Sequence, residues 1–269
     1  MDFDFFNTPL RYEMRVTVVQ SDPVWENASA NLKHLEKLLT PFNGKTDLAI
    51  LPEMFNTGFS MRTDVLSEPP DGETWHWMKE MSLRGGFGLC GSYLVSVDGK
   101  VYNRWVFVSN ENEKYYYDKR HTFSIADENK YVSSGASRLV FSFRGVRIGA
   151  YICYDLRFPV WSRNLNDTDL MIYSANWPEG RRDVWNILLR ARAIENQCYV
   201  AGSNRTGTDG NGIKYSGDSV IINPRGEIIA SADTYPEQCI SSDISMDELS
   251  DFRKKFPVAN DADSFTIHG

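Results

Sequence analysis

The sequence predicts one α/β domain, a four-layer α-β-β-α sandwich in which two mixed sheets face each other and helices cover the outsides. Three observations predict it. Apolar β-branched runs alternate with helix-period segments as β-α-β-α. A block of hairpins follows, and then β-α-β-α and a last hairpin, so the chain reads as two similar halves. No linker and no repeat divides it. The expected domain runs over 14–256, with 1–13 as an N-terminal extension and 257–269 as a C-terminal tail.

The elements follow in order. Met14 to Gln20 (MRVTVVQ) is valine-rich and alternates, which predicts a strand. From Asn31 to Leu39, Leu32, Leu35, Leu38 and Leu39 share one helical face, and Thr40-Pro41 with Asn43-Gly44 ends that helix. Asp47 to Pro52 is a second buried strand, with Glu53 at its C-terminal end. A helix from Glu73 to Leu83 is stopped by Gly85-Gly86. Gly88 to Val97 and Tyr102 to Ser109 form a hairpin about Asp98-Gly99. The run Tyr115-Tyr116-Tyr117 then leads into Asp118-Lys119-Arg120-His121.

Leu139 to Phe143 and Val146 to Ile152 pair about Arg144-Gly145, and Cys153 stands at the elbow that follows. Pro159 suits the first position of a short helix reaching Leu165. Leu170 to Ala175 is a strand that runs into Asn176-Trp177-Pro178. Asp183 to Gln197 is the most helix-like segment, with Trp185, Leu188, Leu189 and Ile194 apolar. Tyr199 to Gly202 is a strand, Arg205 to Lys214 an irregular glycine-rich loop, and Ser219 to Ile222 with Glu227 to Ala230 a hairpin. A polar helix and tail close the chain.

Composition excludes several classes. Of 269 residues, 42% are hydrophobic and 24% charged, the balance of a packed globular chain and not a disordered one. The net charge is −7 and no basic block stands out, so no nucleic-acid partner is expected. No apolar run approaches the ~20 residues of a membrane span. The acidic N-terminus lacks the pattern of a signal peptide. Four cysteines (Cys90, Cys153, Cys198, Cys239) are far apart with no CxxC pair, which points to free thiols and a cytoplasmic protein. His34, His76, His121 and His268 form no zinc pattern, and neither GxGxxG nor a phosphate loop appears, so no metal and no nucleotide cofactor is expected.

Chemistry-bearing residues gather at predicted strand ends, where ligands of α/β sheets collect. Glu53, Lys119 and Cys153 each follow a strand. A carboxylate can take a thiol proton. An ammonium lowers a thiol pKa from its reference near ~8.5 and holds an oxyanion. The thiolate then attacks, with backbone N–H groups of the turn at hand. Each residue also has an ordinary reading: a buried structural cysteine, a capping glutamate, a surface lysine. A Cys–His hydrolase using His121 or His76 and a non-catalytic binding protein fit the same residues, because spacing alone does not bring side chains together.

The segments LPEMFNTGFS, YDKRHTFSIADEN and ICYDLRFPVWSRN, in that order, resemble the three signature segments of the nitrilase superfamily. SANWP, RARAIENQCYVAGSNRTGTDGNG and GDSVIINPRGEIIA extend the resemblance from about Met14 to Phe256. Within that superfamily the pattern is most similar to the ω-amidases, which cleave α-keto-acid ω-amides. The resemblance implies a Glu53–Lys119–Cys153 triad, a second glutamate (Glu128) that orients the lysine, and the Tyr154 N–H as an oxyanion donor. It also implies a homodimer, with the helix after Cys153 and the Asp183–Gln197 helix at the interface. Other amidases, carbamoylases and nitrilases share the triad and differ in the pocket. Arg157, four residues after the cysteine, is the candidate for gripping a substrate carboxylate, and an ion pair with Asp155 or another acidic residue is the competing reading. Phe59, Phe158 and Trp177 are candidate pocket walls.

Overall fold

The computed structural model describes residues 12–164 and 167–267. Strand β1 (Glu13–Gln20) opens the chain and leads to helix α1 (Ala28–Leu39). The Asn27 side chain accepts from the Ala30 N–H and so caps α1, whose Leu32, Leu35 and Leu39 are buried. Strand β2 (Leu48–Ile50), the single turn α2 (Thr63–Leu66) and helix α3 (Glu73–Gly85) follow. Gly86, at φ +72°, ends α3 in the left-handed conformation that the Gly85-Gly86 pair predicts. Then come β3 (Gly88–Val97), β4 (Lys100–Val108), β5 (Lys114–Asp118), the short helix α4 (Glu128–Tyr131), β6 (Val140–Phe143) and β7 (Val146–Ile152). The second half holds β8 (Leu170–Ala175), helix α5 (Arg182–Asn196), β9 (Tyr199–Asn204), β10 (Thr206–Thr208), β11 (Lys214–Ser216), β12 (Val220–Ile222), β13 (Ile228–Ser231), β14 (Gln238–Ser245) and helix α6 (Met246–Lys255).

Two six-stranded sheets result, ordered β14-β1-β2-β3-β4-β5 and β6-β7-β8-β9-β12-β13. Read in these orders, both have the same succession of antiparallel, parallel, parallel, antiparallel and antiparallel pairs. The two sheets are therefore copies of one pattern, the first completed by β14 from near the end of the chain. The sheets face each other, with β1 against β9 and β4 against β7. A core rich in Val, Ile, Tyr and Trp fills the space between them and continues under α5. The outer face of the first sheet packs against α1 and α3 through Leu32, Leu35, Met78 and Met81. Two buried hydrogen bonds tie the layers: Ser203 Oγ donates to Val19 O at 2.7 Å, and Ser174 Oγ to Leu51 O at 2.8 Å. The sandwich of two mixed sheets with outer helices agrees with the expected architecture.

Three local expectations are corrected. No helix begins at Pro159: a 3₁₀ turn spans Cys153–Arg157 and ends before Phe158-Pro159, because the tight turn is already closed by the Phe158 N–H donating to Asp155 O. The expected end of that helix, Leu165, lies outside the described residues. The Arg205–Lys214 loop contains β10 and opens into β11, a small antiparallel pair. Strand β14, which no sequence pattern predicts, is the third. It pairs with β1 along all eight residues and closes that edge of the first sheet. Serine and aspartate dilute its apolar alternation, and only Ile244 and Ser245 within it are buried, which is the pattern of an edge strand.

Candidate active site

Strand ends from both sheets deliver the site. Glu53 follows β2 in the first sheet, and Cys153 directly follows β7 in the second. Lys119 directly follows β5. Glu53, Lys119 and Glu128 are all fully buried. The Lys119 Nζ donates to Glu53 Oε1 at 2.8 Å and to Glu128 Oε1 and Oε2 at 3.1 and 2.9 Å. An ammonium is thus held between two carboxylates, which compensates the desolvation of all three groups. Burial opposes the charge on Lys119, yet Glu128 and Glu53 hold its pKa above the ordinary lysine value. Burial pushes the Glu128 carboxyl up, Lys119 pulls it back, and Glu53 adds to the rise.

Cys153 is bent into place. Its φ of +41° is left-handed, a conformation that costs a non-glycine residue about 1–3 kcal/mol and persists only where surroundings enforce it. Asp155 provides much of that enforcement. Its fully buried carboxylate accepts from Ile152 N at 3.0 Å, Tyr117 Oη at 2.8 Å, and His121 N and Nδ1 at 3.0 and 2.8 Å. The elbow that carries the thiol is thereby bolted to the 117–121 segment that carries Lys119. The Cys153 Sγ donates to Asn176 O at 3.7 Å.

The thiol departs from expectation in its titration. Burial pushes its pKa well above the ordinary cysteine value, and the charge and hydrogen bond of Glu53 push the same way. Lys119 does lower it, as its ammonium should, but is outweighed. The resting group is therefore a neutral thiol beside a carboxylate that can accept its proton.

A small cavity of ≈ 70 Å³ opens onto Cys153 and Lys119. Of the candidate pocket residues, Phe59, Arg157 and Trp177 line it, as does Tyr154. Phe158 does not line it: its ring stacks on His121, with centroids 3.8 Å apart and planes at 7°. His121 is thus spent on Asp155 and Phe158, and His76 is exposed on α3, so neither forms a Cys–His pair. The Arg157 guanidinium lies 5.2 Å from the Trp177 ring centroid and has no carboxylate partner among the described residues. The expected competitor, Asp155, is fully engaged elsewhere.

Sequence reasoning missed four contributors. Asn103 Nδ2, from β4, donates to Glu53 Oε1 at 2.8 Å and to Glu128 Oε1 at 3.2 Å. Asn176 N donates to Glu53 Oε2 at 2.8 Å. Tyr215 and Arg181 line the cavity. Only Asn176 had a signal, since SANWP follows a strand; an asparagine inside a strand and an arginine in a charged run carry none.

A fully buried Glu–Lys–Glu cluster beside a strained cysteine at the strand ends of a two-sheet sandwich defines a cysteine hydrolase of carbon–nitrogen bonds, and the chain belongs to the carbon-nitrogen hydrolase family, whose model matches residues 15–254. Among relatives, it is 44% identical over 254 residues to the omega-amidase YafV of Escherichia coli (strain K12), covering 94% of this chain and 98% of that one. It is 32% identical over 251 residues to the 2-oxoglutaramate amidase of Bacillus subtilis (strain 168), covering 91% and 96%. Among solved structures it is similar to XC1258 from Xanthomonas campestris, a CN-hydrolase superfamily protein with an arsenic adduct in its active site. The TM-score is 0.93 at 38% identity, over 96% of this chain and all of that one.

Proposed function

We propose that the protein is an ω-amidase, hydrolysing the terminal amide of a small keto-dicarboxylic acid monoamide such as α-ketoglutaramate to the acid and ammonia. The observation that carries this reading is the placement of Glu53, whose buried carboxylate accepts from the Lys119 ammonium and from Asn176 N, the residue whose carbonyl oxygen accepts from the Cys153 thiol. The likeness to an omega-amidase and a 2-oxoglutaramate amidase supports the substrate class. So does Arg157, a cation at the pocket wall with no carboxylate partner among the described residues.

The geometry supports the following course of reaction. Glu53 takes the Cys153 proton as the sulfur attacks the amide carbon. The oxyanion that develops is held by Lys119 Nζ and the Tyr154 N–H. Glu53 passes the proton to the departing nitrogen, ammonia leaves, and a thioester remains. Glu53 then draws a proton from water, which attacks the thioester carbon; the C–S bond breaks, the acid is freed, and Glu53 returns the proton to the Cys153 sulfur. Glu128 and Asn103 keep Lys119 and Glu53 in register throughout.

Ammonia release from α-ketoglutaramate, glutamine, N-carbamoyl amino acids and simple nitriles tests the substrate. The keto-acid amide is expected to be preferred; a carbamoyl compound or a nitrile in first place overturns the reading.

The hydrolase domain is taken as 14–256, with 1–13 and 257–269 outside it. The protein is taken to be cytoplasmic; its four cysteines are unpaired, and no helix among the described residues is long and apolar enough to cross a membrane. It is also taken to be a homodimer. Val160, Ile187 and Ile194, on the segment after Cys153 and on α5, are exposed apolar residues at the expected interface. Sedimentation at micromolar concentration is expected to give a dimer, and a monomer there refutes it.

A further inference from the structure

A second arginine shares the catalytic cavity. Arg181 follows Trp177-Pro178 in the turn that enters α5, and the Trp177 Nε1 donates to its backbone carbonyl at 2.8 Å. That bond pins the turn so that the Arg181 side chain reaches the cavity wall. Its guanidinium lies 5.3 Å from the Phe123 ring centroid and, among the described residues, has neither a hydrogen-bond partner nor a carboxylate. Arg157 is held in the same way, over the Trp177 ring. Two guanidiniums therefore face one small cavity, each backed by an aromatic ring and neither neutralised.

The charge balance of this cavity is one-sided. No aspartate or glutamate is among its lining residues, and the third cation there, Lys119, is already claimed by Glu53 and Glu128. A protein of net charge −7 thus presents two free positive charges to its substrate. A lone carboxylate needs one guanidinium, since a planar fork matches both its oxygens. The second arginine has a use if the substrate carries a further acceptor next to that carboxylate. An ammonium at the same carbon would meet two like charges and no counter-ion.

We propose that Arg181 is a specificity-determining residue that donates to the 2-oxo group beside the carboxylate held by Arg157, so that the site accepts 2-oxo acid amides and rejects 2-amino acid amides. The inference rests on the ω-amidase reading for the orientation of the substrate, with the amide at Cys153 and the acid end at the arginines.

Three monoamides that differ only at the carbon next to the carboxylate provide the test: α-ketoglutaramate with an oxo group, glutaramate with none, and glutamine with an ammonium. Their dissociation constants are measured by ligand-detected NMR on the Cys153→Ala protein, which has no nucleophile. The oxo compound is expected to bind best and glutamine worst. Adding Arg181→Gln should weaken the oxo compound by about 10- to 100-fold, the loss of one hydrogen bond to a charged donor. The spread among the three ligands should narrow accordingly, and Arg181→Lys should restore part of it. A spread unchanged by Arg181→Gln, or three affinities lowered equally, overturns the assignment. Hydrolysis of α-ketoglutaramate by the unaltered protein is scored separately. Turnover with a spread indifferent to Arg181 sinks this inference alone, whereas an Arg181-dependent spread without turnover sinks the ω-amidase reading and leaves only the binding preference assigned to Arg181.

Discussion

Glu53 and Asn176 follow corresponding strands of the two sheets, β2 and β8, and they meet: Asn176 N donates to Glu53 Oε2 at 2.8 Å and its Nδ2 to Glu53 O at 2.6 Å. One oxygen of the Glu53 carboxylate is thereby held by the second sheet, and the other by Lys119 and Asn103. The carboxylate cannot rotate away without breaking a bond on either side. Preorganisation of this kind lets a base act without first rearranging.

If Glu53 is the base and Cys153 the nucleophile, neither is replaceable by a neutral isostere. Cys153→Ala is expected to remove turnover, and Glu53→Gln to lower kcat by about 10²–10⁴-fold, the range of a lost general base. Ammonia release in a coupled assay, with circular dichroism to verify folding, measures both. Turnover near the wild-type level in either variant contradicts the roles assigned.

The raised thiol makes a separate prediction with a definite sign. Alkylation of Cys153 by iodoacetamide follows the thiolate, so in the wild type its rate should climb only at pH above the ordinary cysteine range. Glu53 raises the thiol pKa, so Glu53→Gln should move the alkylation midpoint to lower pH. Lys119 lowers it, so Lys119→Met should move the midpoint to higher pH. Peptide mass spectrometry over a pH series reads each shift, and shifts of opposite sign contradict the electrostatic account.

Asp155 is the brace of the strained elbow. In Asp155→Asn an amide NH₂ replaces one of two acceptor oxygens that receive four N–H and O–H groups. Leaving buried donors without acceptors costs about 1–3 kcal/mol. Urea denaturation should register that loss. The kcat should fall while KM for the amide changes little, since the sulfur, and not the arginine end of the pocket, is displaced. A variant as stable and active as the wild type argues against the brace.

The chemical identities at the strand ends were legible because they are local. Valine-rich alternation marks β1, the apolar run before Cys153 marks β7, and Gly85-Gly86 marks the end of α3. Sequence alone therefore determined the layered α/β class, the candidates Glu53, Lys119 and Cys153 at strand ends, and an acidic chain with a candidate carboxylate-binding arginine at 157. Tertiary structure decided what those residues do to one another. Lys119 and Glu53 are 66 positions apart and Asn176 and Glu53 are 123 apart, so their contacts depend on how two sheets stack and not on any short-range pattern. The same holds for β14, which takes its order from β1 more than 200 residues earlier. It holds above all for the protonation of the thiol: burial and a neighbouring carboxylate outweigh the lysine, and burial is a property that a chain acquires only by folding.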